Sequence, residues 1–178
     1  LGMTRGAMEV YNNPERFSTE AVAREFARHA AWFALSGVGA MIAFLCVPLA
    51  VPNALVPGAL ALAALAFVIP FSNSGVCITL LLTLLPYSGG WLYAADLTGA
   101  ALGRLGIIFA LLVVDPVSAT FWPGAFSAGA GWMVVRSGDS GSRRLSGAVA
   151  LTLAAAAVLH TGIGITGRSH LGVFWAKG

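Results

Sequence analysis

The chain has 178 residues, 58% of them hydrophobic and only 10% charged, with a net charge of +3. Soluble domains carry about 25% charged residues, so this composition, with a mean hydropathy of +0.84, sets much of the surface against lipid rather than water. The positive charge rests on nine arginines and Lys177, scattered at segment ends, which is the distribution of membrane anchors and not the basic face of a nucleic-acid binder.

Residues 1–30 are polar and mixed in charge. Asn12, Asn13 and Pro14 read as a turn. Ser18 or Thr19 is placed to cap a helix that continues through AVAREFARHAAWF, with Val22, Phe26 and Ala30 on one face and Arg24, Glu25 and Arg28 between them. This pattern predicts an interfacial amphipathic helix that runs into the first span. The first residue, Leu1, is what a processed or trimmed N-terminus would leave.

No Asp, Glu, Lys or Arg occurs from His29 to Ala95. About 20 apolar residues cross a bilayer, so the run holds two or three spans, placed at 31–51, 54–70 and 76–95. Pro52-Asn53 and the PFSNSG stretch of Pro70 to Gly75 supply the breaks, read as tight turns at the membrane surface. Asp96 ends the run. Further spans are expected at 98–114, ending at Asp115-Pro116, at 117–135, and at 145–165 after a polar loop at 137–144. In the C-terminal tail, Phe174 and Trp175 stand beside Lys177 as an interfacial anchor, matching Arg24 and Arg28 at the other end.

The expected fold is therefore all-α, a polytopic transmembrane helical bundle. It comprises an N-terminal segment (1–30), a transmembrane domain (31–165) and an interfacial tail (166–178). Six spans put Arg24 and Arg28 on the opposite side from Arg136, Arg143 and Arg144. Five spans, with 105–125 as one, put them on the same side but carry Asp115 to mid-depth, which is costly; six is the favoured count. PGALALAALAFV at 57–68 and PGAFSAGAGWMV at 123–134 share five of twelve positions, a pattern that would suit a 3+3 transporter repeat but that Ala/Gly-rich helices also produce by chance.

Small residues mark the helix surfaces: Gly37, Gly39 and Ala43 in the first span, Gly124, Gly129 and Gly131 in the fifth. They let backbones approach closely in lipid, either between subunits or within the chain. Asp115 and Arg104 are candidate intramembrane polar residues. For Asp115 the simpler role is a turn acid before Pro116; for Arg104 it is snorkelling, with pairing to a carboxylate as the alternative. His160 could ligate a haem or a pigment magnesium, although no second ligand stands at a recognisable spacing. The GDSG string at 138–141 matches part of a serine-hydrolase signature, but lies in a polar loop with no base beside it. Cys46 and Cys77 have neither metal nor disulfide spacing. No nucleotide or metal motif is present, and four of the seven carboxylates fall in the first 25 residues.

These features predict no enzyme and no required cofactor. They predict a non-catalytic accessory subunit of a larger complex in an energy-transducing membrane (bacterial inner, organellar inner or thylakoid, respiratory or photosynthetic), with membrane lipids and other subunits as partners. A small-solute transporter or channel is the alternative.

Overall fold

Every regular element described in the computed structural model is a helix; the structure describes residues 1–45, 56–84, 88–135 and 140–166. In chain order these are α1 (Gly2–Asn12), α2 (Val22–Leu45), α3 (Val56–Ala66), α4 (Val68–Leu84), α5 (Gly89–Val113), α6 (Pro116–Val134) and α7 (Ser140–Ile165). Four helical stretches are long and apolar enough to cross a membrane: α2, α3 with α4, α5 and α7.

The core is the three-helix unit of α2, α6 and α7. Ala31, Ala34 and Val38 of α2 meet Ala125 and Ala128 of α6 and Val149 and Leu153 of α7. Alanine dominates because the backbones approach closely. A methyl group on Gly131 would lie 3.1 Å from the Ala27 Cα, and one on Gly124 would lie 3.2 Å from a Val38 methyl. Ser127 donates to the Ala30 carbonyl at 3.2 Å and Ser146 to the Ala27 carbonyl at 3.4 Å. These contacts make α6 antiparallel to α2, and α7 parallel to it. Arg24 and Arg28 at the start of α2 therefore share one end of the bundle with Arg143 and Arg144 at the start of α7. The six-span arrangement would have set them apart.

The expected spans 54–70 and 76–95 do not appear as two separate helices with those bounds. Residues 56–84 form a single 29-residue apolar stretch, jointed at Phe67. Pro70 falls in the first turn of α4, where its missing N–H costs least. The polar residues after it turn their side chains back on the helix. Ser72 donates to the Val68 carbonyl at 2.7 Å, Asn73 to the Ile69 carbonyl at 2.9 Å, and Thr79 to the Gly75 carbonyl at 2.8 Å. A proline followed by Ser, Asn and Ser is thus carried inside a helix rather than in a surface turn. The next helix, α5, starts at Gly89 and runs straight through Asp96. The repeat segments also occupy unlike positions: 57–68 covers α3 and its joint, while 123–134 is the second half of α6.

Helix α1 is absent from the sequence-based expectation. It packs along α4 with Gly2, Gly6 and Val10 buried, and Val10, Phe17 and Val22 meet Val76 and Leu80 in a second cluster. The expected amphipathic segment exists as the first turns of α2, with Val22, Glu25, Ala27, His29 and Ala30 all buried. Pro52-Asn53, Arg136, Phe174, Trp175 and the tail anchor lie outside the described residues.

Candidate functional site

Two polar networks mark the two ends of the bundle. At the end where α6 begins, Asp115 is the N-cap residue and Pro116 takes the first helical position. One carboxylate oxygen accepts the Ser118 backbone N–H at 3.0 Å; the other accepts the Ser118 hydroxyl at 2.5 Å. The same hydroxyl oxygen lies 2.5 Å from His160 Nδ1 on α7. Since the hydroxyl proton goes to Asp115, Nδ1–H donates to Ser118, and Nε2 is the ring nitrogen left for any other partner. Gly164 makes room for this arrangement: a methyl there would sit 2.8 Å from an Asp115 oxygen. The Phe121 ring lies 6.0 Å from the imidazole. Burial pushes the Asp115 carboxyl up, but the two Ser118 hydrogen bonds and the nearby His160 together outweigh it, holding the group below its ordinary value.

Two of the sequence candidates, Asp115 and His160, are therefore joined by a residue that sequence reading missed. Ser118 stands three positions after an Asp-Pro pair, which is the spacing of a capping bond. Its link to His160, 42 residues away, leaves no sequence signal. The trio differs from a hydrolytic triad. Serine stands between acid and imidazole, is fully buried, and already gives its proton to a carboxylate, so it is no nucleophile. What the trio does is tie the start of α6 to the end of α7 and fix one face of the imidazole. The other hydrolase-like serine, Ser140, opens α7, the helix that carries His160 twenty residues later, about 30 Å along the axis. Gly138 and Asp139 of that string lie outside the described residues.

At the opposite end Glu25 is buried, with 4% of its surface exposed. Four cationic or ionisable groups surround it: Arg16 at 3.3 Å, Arg24 at 3.5 Å, Arg28 at 3.6 Å and His29 at 3.9 Å. Arg16 also reaches Glu9 of α1 at 3.1 Å and lies over the Phe17 ring at 5.0 Å. His29 Nδ1 meets Asn73 of α4 at 2.8 Å. The network therefore ties α1, the 13–21 turn, α2 and α4 together. Arg24 and Arg28, expected as headgroup anchors, keep half-exposed side chains while flanking this carboxylate.

The packing candidates divide. Gly124 and Gly131 are consumed inside the chain, and a methyl on Gly37 would lie 3.9 Å from the Pro70 ring. Gly39 and Gly129 have open space where a side chain would go, and Ala43 is exposed. Arg104 is not brought to Asp115. It sits on α5, a 25-residue helix without one buried residue. Two clefts separate α5 from the rest. One of about 340 Å³, wholly apolar, lies between Phe33, Met41, Phe67, Ile107, Leu111 and Pro123. The other, about 530 Å³, lies between Gly103 and Gly106 of α5 and Trp122 and Phe126 of α6. Among the described residues no cluster of three His, Cys, Asp or Glu could hold a metal ion.

Comparison of the chain with protein-family models, with curated proteins and with solved structures gave no match.

Proposed function

We propose that the chain is an integral membrane protein that crosses the bilayer five times and serves as a non-catalytic subunit of a larger membrane assembly, with α5 as a helix that meets its neighbours. The crossings are α2, α3 with α4, α5, α6 and α7. Helix α6 has 19 residues, about 28 Å at 1.5 Å per residue, which matches the hydrocarbon thickness. It lies packed between α2 and α7 and so crosses with them. Five crossings put Asp115 at a helix junction, without the mid-depth cost. Arg24, Arg28, Arg143 and Arg144 gather at one end, which the positive-inside rule assigns to the cytoplasmic or matrix-like side of a bacterial or organellar inner membrane.

The observation that carries the subunit reading is α5. The other long helices bury a face within the chain, whereas no residue of α5 is buried and all but Leu92 and Ala110 are exposed, including Trp91, Leu97, Leu102, Phe109 and Leu112. A helix held to its bundle chiefly through its ends acquires its packing from outside. Purification in mild detergent, followed by native mass spectrometry of what co-migrates, tests this. A defined complex is expected; a monodisperse single chain carrying only lipid would refute it.

A second reading, a haem or pigment held through His160, is favoured by one feature: the Ser118 bond orients the ring and leaves Nε2 for a ligand. An absorption spectrum of the native complex that His160→Ala leaves unchanged removes it. No packing feature favours the transporter alternative, because the two repeat segments occupy unlike positions.

A further inference from the structure

Helix α5 carries two charges, Asp96 and Arg104. Arg104 lies about 22 Å from the start of the helix and about 14 Å from its end at 1.5 Å per residue. Both side chains are exposed, and among the described residues no ion pair or hydrogen bond reaches either one. They are about 12 Å apart along the axis, too far to pair with each other. Asp96, Ala100 and Arg104 recur every four residues and so form one ridge. Helical side chains lean toward the N-terminus, so Arg104 leans away from the nearer membrane face, and snorkelling that way works against its own bond direction.

An unpaired guanidinium at this depth is expensive in lipid, and such residues pair with one another or face a polar partner. A second copy does not supply one. Copies inserted the same way round bring Arg104 against Arg104 and Asp96 against Asp96. The antiparallel pairing that would match them requires opposite insertion, which the arginines gathered at one end oppose. The complement is therefore a different helix.

We infer that α5 docks a transmembrane helix of another polypeptide, which presents a carboxylate level with Arg104 across the ridge of Asp96, Ala100 and Arg104. Gly99 and Gly103 beside the ridge have open space at their Cβ positions, which permits the close approach such a pair needs. The inference rests on the subunit reading and narrows it to one helix face and one charge.

The test uses the purified full chain, labelled with a fluorescent donor and reconstituted in phosphatidylcholine vesicles. The probe is an acceptor-labelled synthetic Leu/Ala single-span helix bearing one Glu, Gln or Lys at mid-depth. The Glu helix is expected to associate about tenfold more tightly than the Lys helix, the scale of a close charge pair set against a like-charge one. Arg104→Gln should bring the three probes together, and Arg104→Lys should retain the preference for Glu. Equal transfer from all three probes with the natural chain, or a preference that survives Arg104→Gln, overturns the inference. In native membranes, a photo-crosslinker at position 100 should yield a peptide of a second protein with Asp or Glu at the cross-linked depth. Adducts to lipid alone overturn the inference. Protein adducts from position 39 of α2 but none from position 100 overturn it while leaving the subunit reading intact. A single chain with no protein adduct anywhere overturns both.

Discussion

Gly6→Ala isolates how α1 is held, because two opposing effects have known sizes. In a helix interior alanine is favoured over glycine by about 1 kcal/mol, so an open site would gain. Gly6 is not open. A methyl there would run into the Ser72 carbonyl oxygen and lie 2.7 Å from the Val76 amide nitrogen, and these are backbone atoms of α4 that cannot turn aside. Helix α1 must back off, and Val10 and Phe17 then loosen from Val76 and Leu80. Overpacking of this kind costs about 1–3 kcal/mol, which exceeds the propensity gain. Because the opposing atoms are backbone, the upper part of that range applies, about 2–3 kcal/mol, and less the gain of about 1 kcal/mol it leaves a net loss of roughly 1–2 kcal/mol in the docking of α1. Limited trypsin digestion at Arg16 reports that docking directly, and thermal unfolding in the same detergent reports the whole. Gly39→Ala is the control, since nothing lies within 4 Å of its would-be methyl, and it should gain about 0.5–1 kcal/mol. A Gly6→Ala chain as protease-resistant and as stable as the natural one would refute the close-packing argument.

Ser118→Ala removes the bridge between Asp115 and His160 and leaves a partly buried imidazole N–H without its acceptor; a loss of about 1–3 kcal/mol is expected in detergent unfolding, and a change within error would mean that water replaces the bridge. Asp115 contributes to stability through a lowered carboxyl value, so its contribution is full above the ordinary carboxylate value and disappears as the pH falls through the lower folded one. Acid titration of the melting temperature should therefore drop later for the natural chain than loss of an unperturbed carboxylate would predict, and Asp115→Asn should flatten that segment of the curve. Arg16→Met takes away the cation shared by Glu9 and Glu25; charged hydrogen bonds of this type contribute about 1.5–3 kcal/mol, less here because Arg24 and Arg28 remain. Faster trypsin cleavage within 13–28 should accompany the loss, and unchanged cleavage would show that Arg16 does not hold the turn.

The helical class and the lipid-facing surface were legible from the charge-free run between His29 and Ala95. The division of that run into helices was not, for a local reason. Proline, serine and asparagine from Pro70 to Asn73 are turn formers in water, yet Ser72 and Asn73 bond back to carbonyls four residues earlier, and that choice is invisible in composition. Helix α1 was missed because its buried face is Gly2, Gly6 and Val10. Hydrophobic periodicity registers side chains, and glycine packs by having none. The one available signal was the four-residue glycine spacing, matched by small residues at Ser72 and Gly75. At the polar sites, Asp115 was read as a turn acid before Pro116 and Ser118 lay at capping distance from it, but the bond to His160 depends on the pairing of α6 with α7.

Among the described residues the buried polar ones find partners, and the enclosed hydroxyl of the partly exposed Thr161 is the exception. Glu25 and His29 meet Arg16 and Asn73, Ser118 meets Asp115 and His160, and Ser72 and Ser146 meet backbone carbonyls. This is what a medium without water demands, since each unmet group there is costly. Arg104 and Asp96 break the rule, and they do so on the one long helix that buries nothing. Two independent departures, one in packing and one in charge, coincide on the same element. Chance exposure of an apolar helix would explain the first departure, because lipid covers apolar surface well. It does not explain the second, because lipid tails offer a guanidinium nothing. The coincidence is what the proposed docking of α5 against a helix of another polypeptide would account for.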